Sequence, residues 1–396
     1  MSRGFYTLLI AQFLSALADN AMLIAAIALL QKMSAPSWHQ PLLLQFFVIS
    51  YILLAPFVGS IADSMPKGRV MFISNGIKLI GSLSLLISMF DVPLIAGMSP
   101  LYAYGIVGIG AAAYSPAKYG ILTEMLPPTA LIKANGWMEG STVAAIILGA
   151  IGGAFAQKDP MLAMFIISAL YLLAAVFNHF IPKLPIDHKP LNNKPWFMVK
   201  DFYHAFMVLW CDPKGQVSLA VTTLFWGVGA TLRLVVIAWA AYALHYNLEQ
   251  STQLMAYVVF GVAVGSVIAA RYISLENSIK VLPAGIAMGV LVFMMQFISE
   301  WHIAAALLFV IGALSGFFLV PLNALLQHRG HLLIGAGHSI AVQNFNENLG
   351  ILILSGAYTL MTKAAFSMST IIIIFGLFIS LSMSGINRYY RKQIGA

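Results

Sequence analysis

Six ionisable residues stand inside long apolar runs of this sequence: Asp19, Lys78, Lys118, Glu139, Arg233 and Glu347. A charge at the centre of a bilayer costs a few kcal/mol unless it is paired or hydrated, so such residues mark polar work inside a membrane. Three kinds of work are open to them. A carboxylate can titrate during an ion-coupled cycle, opposite charges can close a structural salt bridge, and separated charges of both signs can grip a polar cargo. Asp19 and Arg233, each midway along its run, can form a bridge; Lys118 and Glu139, nearer the ends of theirs, can form a gating or structural pair. Lys78 is expected to snorkel its ammonium to the interface. The amides Asn20, Asn323, Gln343 and Asn344 also lie in apolar runs, where each needs a partner.

The elements that position these residues must live in lipid. Of 396 residues 60% are hydrophobic and 9% charged, with a mean hydropathy of +0.89, whereas a soluble domain keeps roughly a quarter of its residues charged. Crossing ~30 Å of hydrocarbon takes about 20 residues of helix. About twelve runs of that length centre near Phe13, Leu53, Leu79, Gly110, Ile147, Leu170, Leu232, Phe260, Met288, Gly312, Leu352 and Phe375. Loop chemistry breaks them at Ala35-Pro36, Met65-Pro66-Lys67-Gly68, Pro127-Pro128, Lys158-Asp159-Pro160 and the polar stretch from Pro182 to Gly215. The first run follows Met1-Ser2-Arg3 with no small-residue cleavage site, so it reads as a retained span. The single cysteine, Cys211, excludes an intramolecular disulfide framework.

Basic residues set the expected orientation. With the N-terminus in the cytoplasm, Lys32, Lys158 and Lys363 fall outside, Lys78, Lys118 and Arg233 lie within runs, and the rest of the 21 basic residues face the cytoplasm. The +8 net charge is therefore a membrane-topology bias and not a nucleic-acid patch.

The chain also resembles itself. Pro116-Ala117-Lys118 recurs as Pro321-Leu322-Asn323, and the Gly59 to Asp63 segment recurs from Gly265 to Ala269, at nearly the same offset. Two six-helix halves in parallel register follow, residues 1–185 and 215–396, and parallel halves place a site at the midplane. The linker, 186–214, carries Trp196, Phe197, Phe202, Phe206 and Trp210 at roughly helical spacing, which suits an amphipathic helix on the cytoplasmic surface.

The segment Gly59-x-x-Ala62-Asp63-x-x-x-Lys67-Gly68-Arg69 resembles the signature loop of the major facilitator superfamily. Ser64 replaces the usual basic residue after the aspartate, and Pro66 the usual glycine. The resemblance implies an all-α integral membrane fold of twelve transmembrane helices in two six-helix halves. It also implies a gating role for Gly59, Asp63, Lys67 and Arg69, with Asp63 pinning a neighbouring helix end. More specific segments are AQFLSA with Asp19-Asn20, AAAYSPAKYGIL at 111–122, Lys133-Ala134-Asn135-Gly136 with Met138-Glu139, FFLVPLNALLQ at 317–327 and AVQNFNEN at 341–348. Over nearly the whole chain these are similar to the bacterial lysophospholipid transporters of that superfamily.

This resemblance implies movement of lysophosphatidylethanolamine and related monoacyl lipids from the outer to the inner leaflet of the bacterial inner membrane, by a monomer with both termini cytoplasmic. Reacylation would fall to an acyltransferase/acyl-carrier-protein synthetase, here a separate partner, since the sequence ends at Ala396 just past the twelfth run. In folds of this type the first, fourth, seventh and tenth helices line the central cavity. A phosphate then suits the forked guanidinium of Arg233, an ammonium suits Asp19 and Glu347, and the glycerol and ester oxygens suit Asn20, Asn323, Gln343 and Asn344. The acyl chain would stay in lipid through a lateral gap while the head slides.

Within the fold, the alternative is a proton-coupled drug or metabolite transporter in which Asp19, Glu139 or Glu347 titrates. An enzyme is not expected: none of the nine histidines has Asp five residues later, as acyltransferase chemistry would require. No Lys precedes Ser or Thr, so there is no phosphate-binding loop, and no Cys/His metal spacing or cofactor motif appears.

Overall fold

The computed structural model describes residues 3–35, 39–90, 99–185, 194–246 and 248–394, and among these all regular structure is helical. Residues 186–193 of the linker lie outside the described residues. The helices are α1 (Arg3–Lys32), α2 (His39–Ser64), α3 (Lys67–Ser88), α4 (Pro100–Met125), α5 (Leu131–Ala154), α6 (Pro160–His179), α7 (Pro195–Cys211), α8 (Pro213–Ala243), α9 (Leu248–Tyr272), α10 (Leu282–Met294), α11 (Trp301–Ile334), α12 (Ala336–Lys363) and α13 (Met368–Ile394).

Ten of these stretches are long and apolar enough to cross a membrane, α10 with the 3₁₀ turns on either side of it. Adding α4 and α12, which are long enough but more polar, gives twelve spans (10 + 2), with α7 as the linker helix. The breaks act as helix starts. Asp159 accepts from the Leu162 N–H at 3.0 Å ahead of Pro160, and Asp212 accepts from the Gly215 N–H at 2.8 Å ahead of Pro213. Each is an N-cap followed by a proline whose missing N–H is not needed there. Between α11 and α12 the chain turns at Gly335, at φ 95°, where a side chain would be strained.

The chain divides into two compact units. The first holds Met1–Leu126, Ser141–Met207 and Gly330–Phe345; the second holds Pro127–Gly140, Val208–Arg329 and Asn346–Ala396. In the first, α3 packs on α4 and α6, and α1 on α6 and α4. In the second, α10 and α8 both pack on α13. Shifting each helix by one repeat maps α3 against α6 onto α10 against α13, and α1 against α6 onto α8 against α13, so the sequence repeat is repeated in the packing. Small residues bring backbones together without a hydrophobic driving force. A Cβ on Gly261 or Gly265 of α9 would overlap backbone of Phe309 or Ala313 on α11. In α7, Phe202, Ala205 and Leu209 are buried while Trp196 and Tyr203 are exposed.

Candidate functional site

Asp19, for which the sequence offered Arg233 as one bridging partner, has its partners on neighbouring helices of the first unit. Lys78 of α3 donates from Nζ to Asp19 Oδ2 at 2.7 Å and to Ser15 Oγ at 3.0 Å. Tyr171 of α6 donates its hydroxyl to Asp19 Oδ1 at 2.9 Å, and Ser15 in turn donates to Asn75 Oδ1 at 2.8 Å. The Lys78 ammonium lies 4.7 Å from the centre of the Tyr114 ring. This corrects the expectation that Lys78 snorkels: its side chain is 1% exposed. An intramembrane carboxylate within reach compensates the ammonium more fully than a stretched path to the interface. Room for the lysine stem comes from Gly110 of α4, where a Cβ would sit 2.7 Å from Lys78 Cγ.

This network walls a cavity of about 50 Å³ lined by Gln12, Ser15, Asp19, Tyr51, Lys78, Tyr114, Ser115 and Lys118, with Ala16 and Ala111. It presents one carboxylate, two ammonium groups and the buried side chain of Tyr114. Lys118 Nζ lies 4.2 Å from the centre of the Tyr119 ring. Separated charges of both signs in one cavity are what a pocket for a zwitterionic group needs. Asn20, one residue from Asp19, is not part of this lining; its amide bonds its own helix at Ala16 O, 2.8 Å.

The other sequence candidates are distributed. Ser115 donates to Asn344 Oδ1 at 3.3 Å, joining α4 to α12 within the first unit. Gln343 and Asn344 are buried there, and Glu139, Asn323 and Glu347 are buried in the second unit. Arg233 is exposed on α8. A reciprocal amide pair, Asn135 with Gln327 at 2.8 and 2.9 Å, braces the second unit.

The signature segment builds a separate charged joint in the first unit. Asp63, at the end of α2, accepts from the Gly337 N–H at 2.8 Å and the His338 N–H at 3.0 Å, so its carboxylate sits on the N-terminus of α12. Lys67 reaches Asp63 at 3.1 Å and Glu124 of α4 at 2.6 Å, all three side chains being nearly buried. Gly59 packs on α12, its would-be Cβ 3.0 Å from His338 Cα. Arg69 is exposed. His338 completes the joint, with Nδ1 2.8 Å from Asp63 Oδ2 and Nε2 3.0 Å from Asp201 Oδ2 on α7.

Sequence reasoning named the gate residues Asp63 and Lys67 but not Glu124, His338 or Asp201, and it named Asp19 but not Tyr171 or Tyr114. The spacing of Ser15 and Asp19, one helical turn apart, signals a polar face on α1. Nothing local to Glu124 or Asp201 signals their roles, because their partners are distant in sequence.

The profile of the Major Facilitator Superfamily matches residues 8–355. The chain is 45% identical over 365 residues to the "Lysophospholipid transporter LplT" of Serratia proteamaculans, covering 92% of this chain and 89% of that one. The protein of the same description from Yersinia enterocolitica is likewise 45% identical, over 92% and 88%. Among solved structures, the E. coli fucose:proton symporter FucP superposes with a TM-score of 0.77 at 12% identity, covering 98% of each chain. The human organic anion transporter MFSD10 gives 0.72 at 14%, over 98% and 99%. At those identities the structures speak to the fold alone. A twelve-span helical chain, a signature aspartate seated on a helix N-terminus and whole-length similarity together make this multi-pass membrane protein a member of the Major Facilitator Superfamily, within the family of those lysophospholipid transporters.

Proposed function

We propose that this protein transports lysophospholipids, moving lysophosphatidylethanolamine and related monoacyl lipids from the outer to the inner leaflet of the bacterial cytoplasmic membrane. The observation that carries this reading is 45% identity along 92% of the chain to proteins named for that activity. The cavity beside Asp19 supports it, since its carboxylate and its two ammonium groups complement an ammonium and a phosphate. Arg233, Asn323, Gln343, Asn344, Glu139 and Glu347 complete the polar path in this reading, and the Asp63 joint opens and closes during the cycle. The protein acts as a monomer with both termini in the cytoplasm. It is not an enzyme, and the imported lipid is reacylated by a separate acyltransferase/acyl-carrier-protein synthetase.

The test is import of labelled lysophosphatidylethanolamine by cells lacking this protein. Import is lost while acyltransferase activity persists in their lysates. Normal import in the deletion strain overturns the proposal.

A further inference from the structure

His338 is placed where a neutral imidazole cannot satisfy its surroundings. Both ring nitrogens face carboxylates, Asp63 at 2.8 Å and Asp201 at 3.0 Å, and the ring is 7% exposed. A neutral ring carries one N–H, so one carboxylate would then meet a nitrogen lone pair; only the imidazolium donates to both. The Ser60 hydroxyl, 3.1 Å from Nε2, adds a polar contact but no charge.

The charged groups around the ring are Asp63 on α2, Lys67 on α3, Glu124 of α4 behind Lys67, and Asp201 on α7. Lys200 and His204, the neighbouring titratable groups of α7, are exposed. Three carboxylates against one lysine leave the joint two negative charges in excess, and the imidazolium halves that excess. Asp201 is the link of consequence, because it belongs to the linker helix. The same helix rests on α12 through Phe202 and Phe206, whose rings lie 5.6 and 6.2 Å from that of Phe345. These aromatic contacts do not change with protonation, whereas the Asp201 contact does.

We infer that His338, as an imidazolium between Asp63 and Asp201, is a positioning residue that latches the linker helix α7 onto the start of α12, and that loss of its proton releases that helix. Asp63 keeps its two backbone N–H donors and Lys67 when the proton leaves, so release falls on the Asp201 side. The latch is a property of the joint and does not depend on the identity of the cargo.

Cys211, exposed at the end of α7 and the single cysteine of the chain, is a native attachment point for a spin label. Full-length protein in liposomes is labelled there and its label mobility followed from about pH 5.5 to about pH 8.5, across the range where imidazole titrates. The wild type shows one step of rising mobility. His338→Gln and Asp201→Asn each remove the step and leave the label mobile throughout; Asp201 is 37% exposed, so its substitution leaves the fold intact. In parallel, initial uptake of labelled lysophosphatidylethanolamine changes severalfold across that step in the wild type and is flat in Asp201→Asn. A mobility step that persists in both variants, or its absence from the wild type, overturns the latch. A label step without any lipid uptake overturns the transport reading and leaves the latch standing.

Discussion

At the scale of residues, the Asp19–Lys78 pair joins two demands, electrical balance inside the membrane and a charged wall for the cavity. Lys78→Met leaves Asp19 with a hydroxyl partner and no counter-charge. Removing one member of a buried pair costs about 3–5 kcal/mol, while replacing both is far milder. Lys78→Met is therefore expected to lower the yield and melting temperature of purified protein, and Asp19→Asn with Lys78→Met to restore both. Uptake separates the roles: the double variant stays at least about tenfold impaired if Asp19 holds cargo, as a coupling of more than about 1.4 kcal/mol requires. Recovery of uptake together with stability would show that the pair is scaffold. Asp19 was legible in the sequence because a carboxylate in an apolar run has few explanations. Its partner was not. Lys78 stands 59 residues away, and the choice between it and Arg233 depends on which helices touch α1. Tyr114 and Tyr171 were hidden for another reason, since a tyrosine in a span reads as interface or packing until its hydroxyl is located.

At the scale of elements, two helix starts invite tests. Gly337 is the first-turn residue of α12 on which the Asp63 carboxylate sits, and a Cβ there would come 2.6 Å from Asp63 Oδ1. Gly337→Val is expected to push the carboxylate off the helix end and cut initial uptake severalfold at matched expression; unchanged uptake would mean the cap is dispensable. Asp212 caps α8 and also pairs with Arg329 of α11 in the second unit. Burial raises its pKa, but the hydrogen bonds from Arg329 and from the Gly215 N–H outweigh that and hold the carboxyl below the usual carboxylate value. A carboxyl depressed in the folded state contributes stability that is full above its unfolded pKa, ~3.9, and is lost as pH falls through the lower folded value. Melting temperature is therefore expected to decline below about pH 4 by a component that Asp212→Asn abolishes. Asp212→Asn keeps a capping oxygen and loses the ion pair, whereas Asp212→Ala loses both, for a further ~1 kcal/mol. Equal melting temperatures for the two variants would deny the cap. Of the helix starts only Asp159-Pro160, ahead of α6, was marked as a break in the sequence. The helices α4 and α12 were visible as well, although they are more polar than the other spans. Their polarity comes in part from residues of the proposed path: Lys118 lies on one, and Gln343, Asn344 and Glu347 on the other. The division of α5 and α12 between the compact units follows from packing and has no local signature.

At the scale of the whole molecule, the proposed function makes the bilayer part of the binding arrangement. The cavity beside Asp19, about 50 Å³, has room for a small polar group and none for an acyl chain. Burying a chain in lipid is worth about 0.8 kcal/mol per methylene, so a monoacyl lipid gains nothing by drawing its tail into a polar pocket, and the protein need engage only the head. Tethering by the tail also raises the effective concentration of that head at the membrane, as linkage does for any bivalent ligand. The same head group without a tail forfeits this advantage while keeping every charge that Asp19 and Lys118 of the cavity could meet. Glycerophosphoethanolamine is therefore expected to be a poor competitor: at about a hundredfold excess over labelled lysophosphatidylethanolamine it leaves initial uptake into proteoliposomes nearly unchanged, since a hundredfold deficit corresponds to only ~2.7 kcal/mol, the worth of about three to four methylenes. Unlabelled lysophosphatidylethanolamine at equimolar amount halves the signal. Equal competition by the two compounds would mean that the head group is captured from water, and the lateral route for the acyl chain would then have to be abandoned.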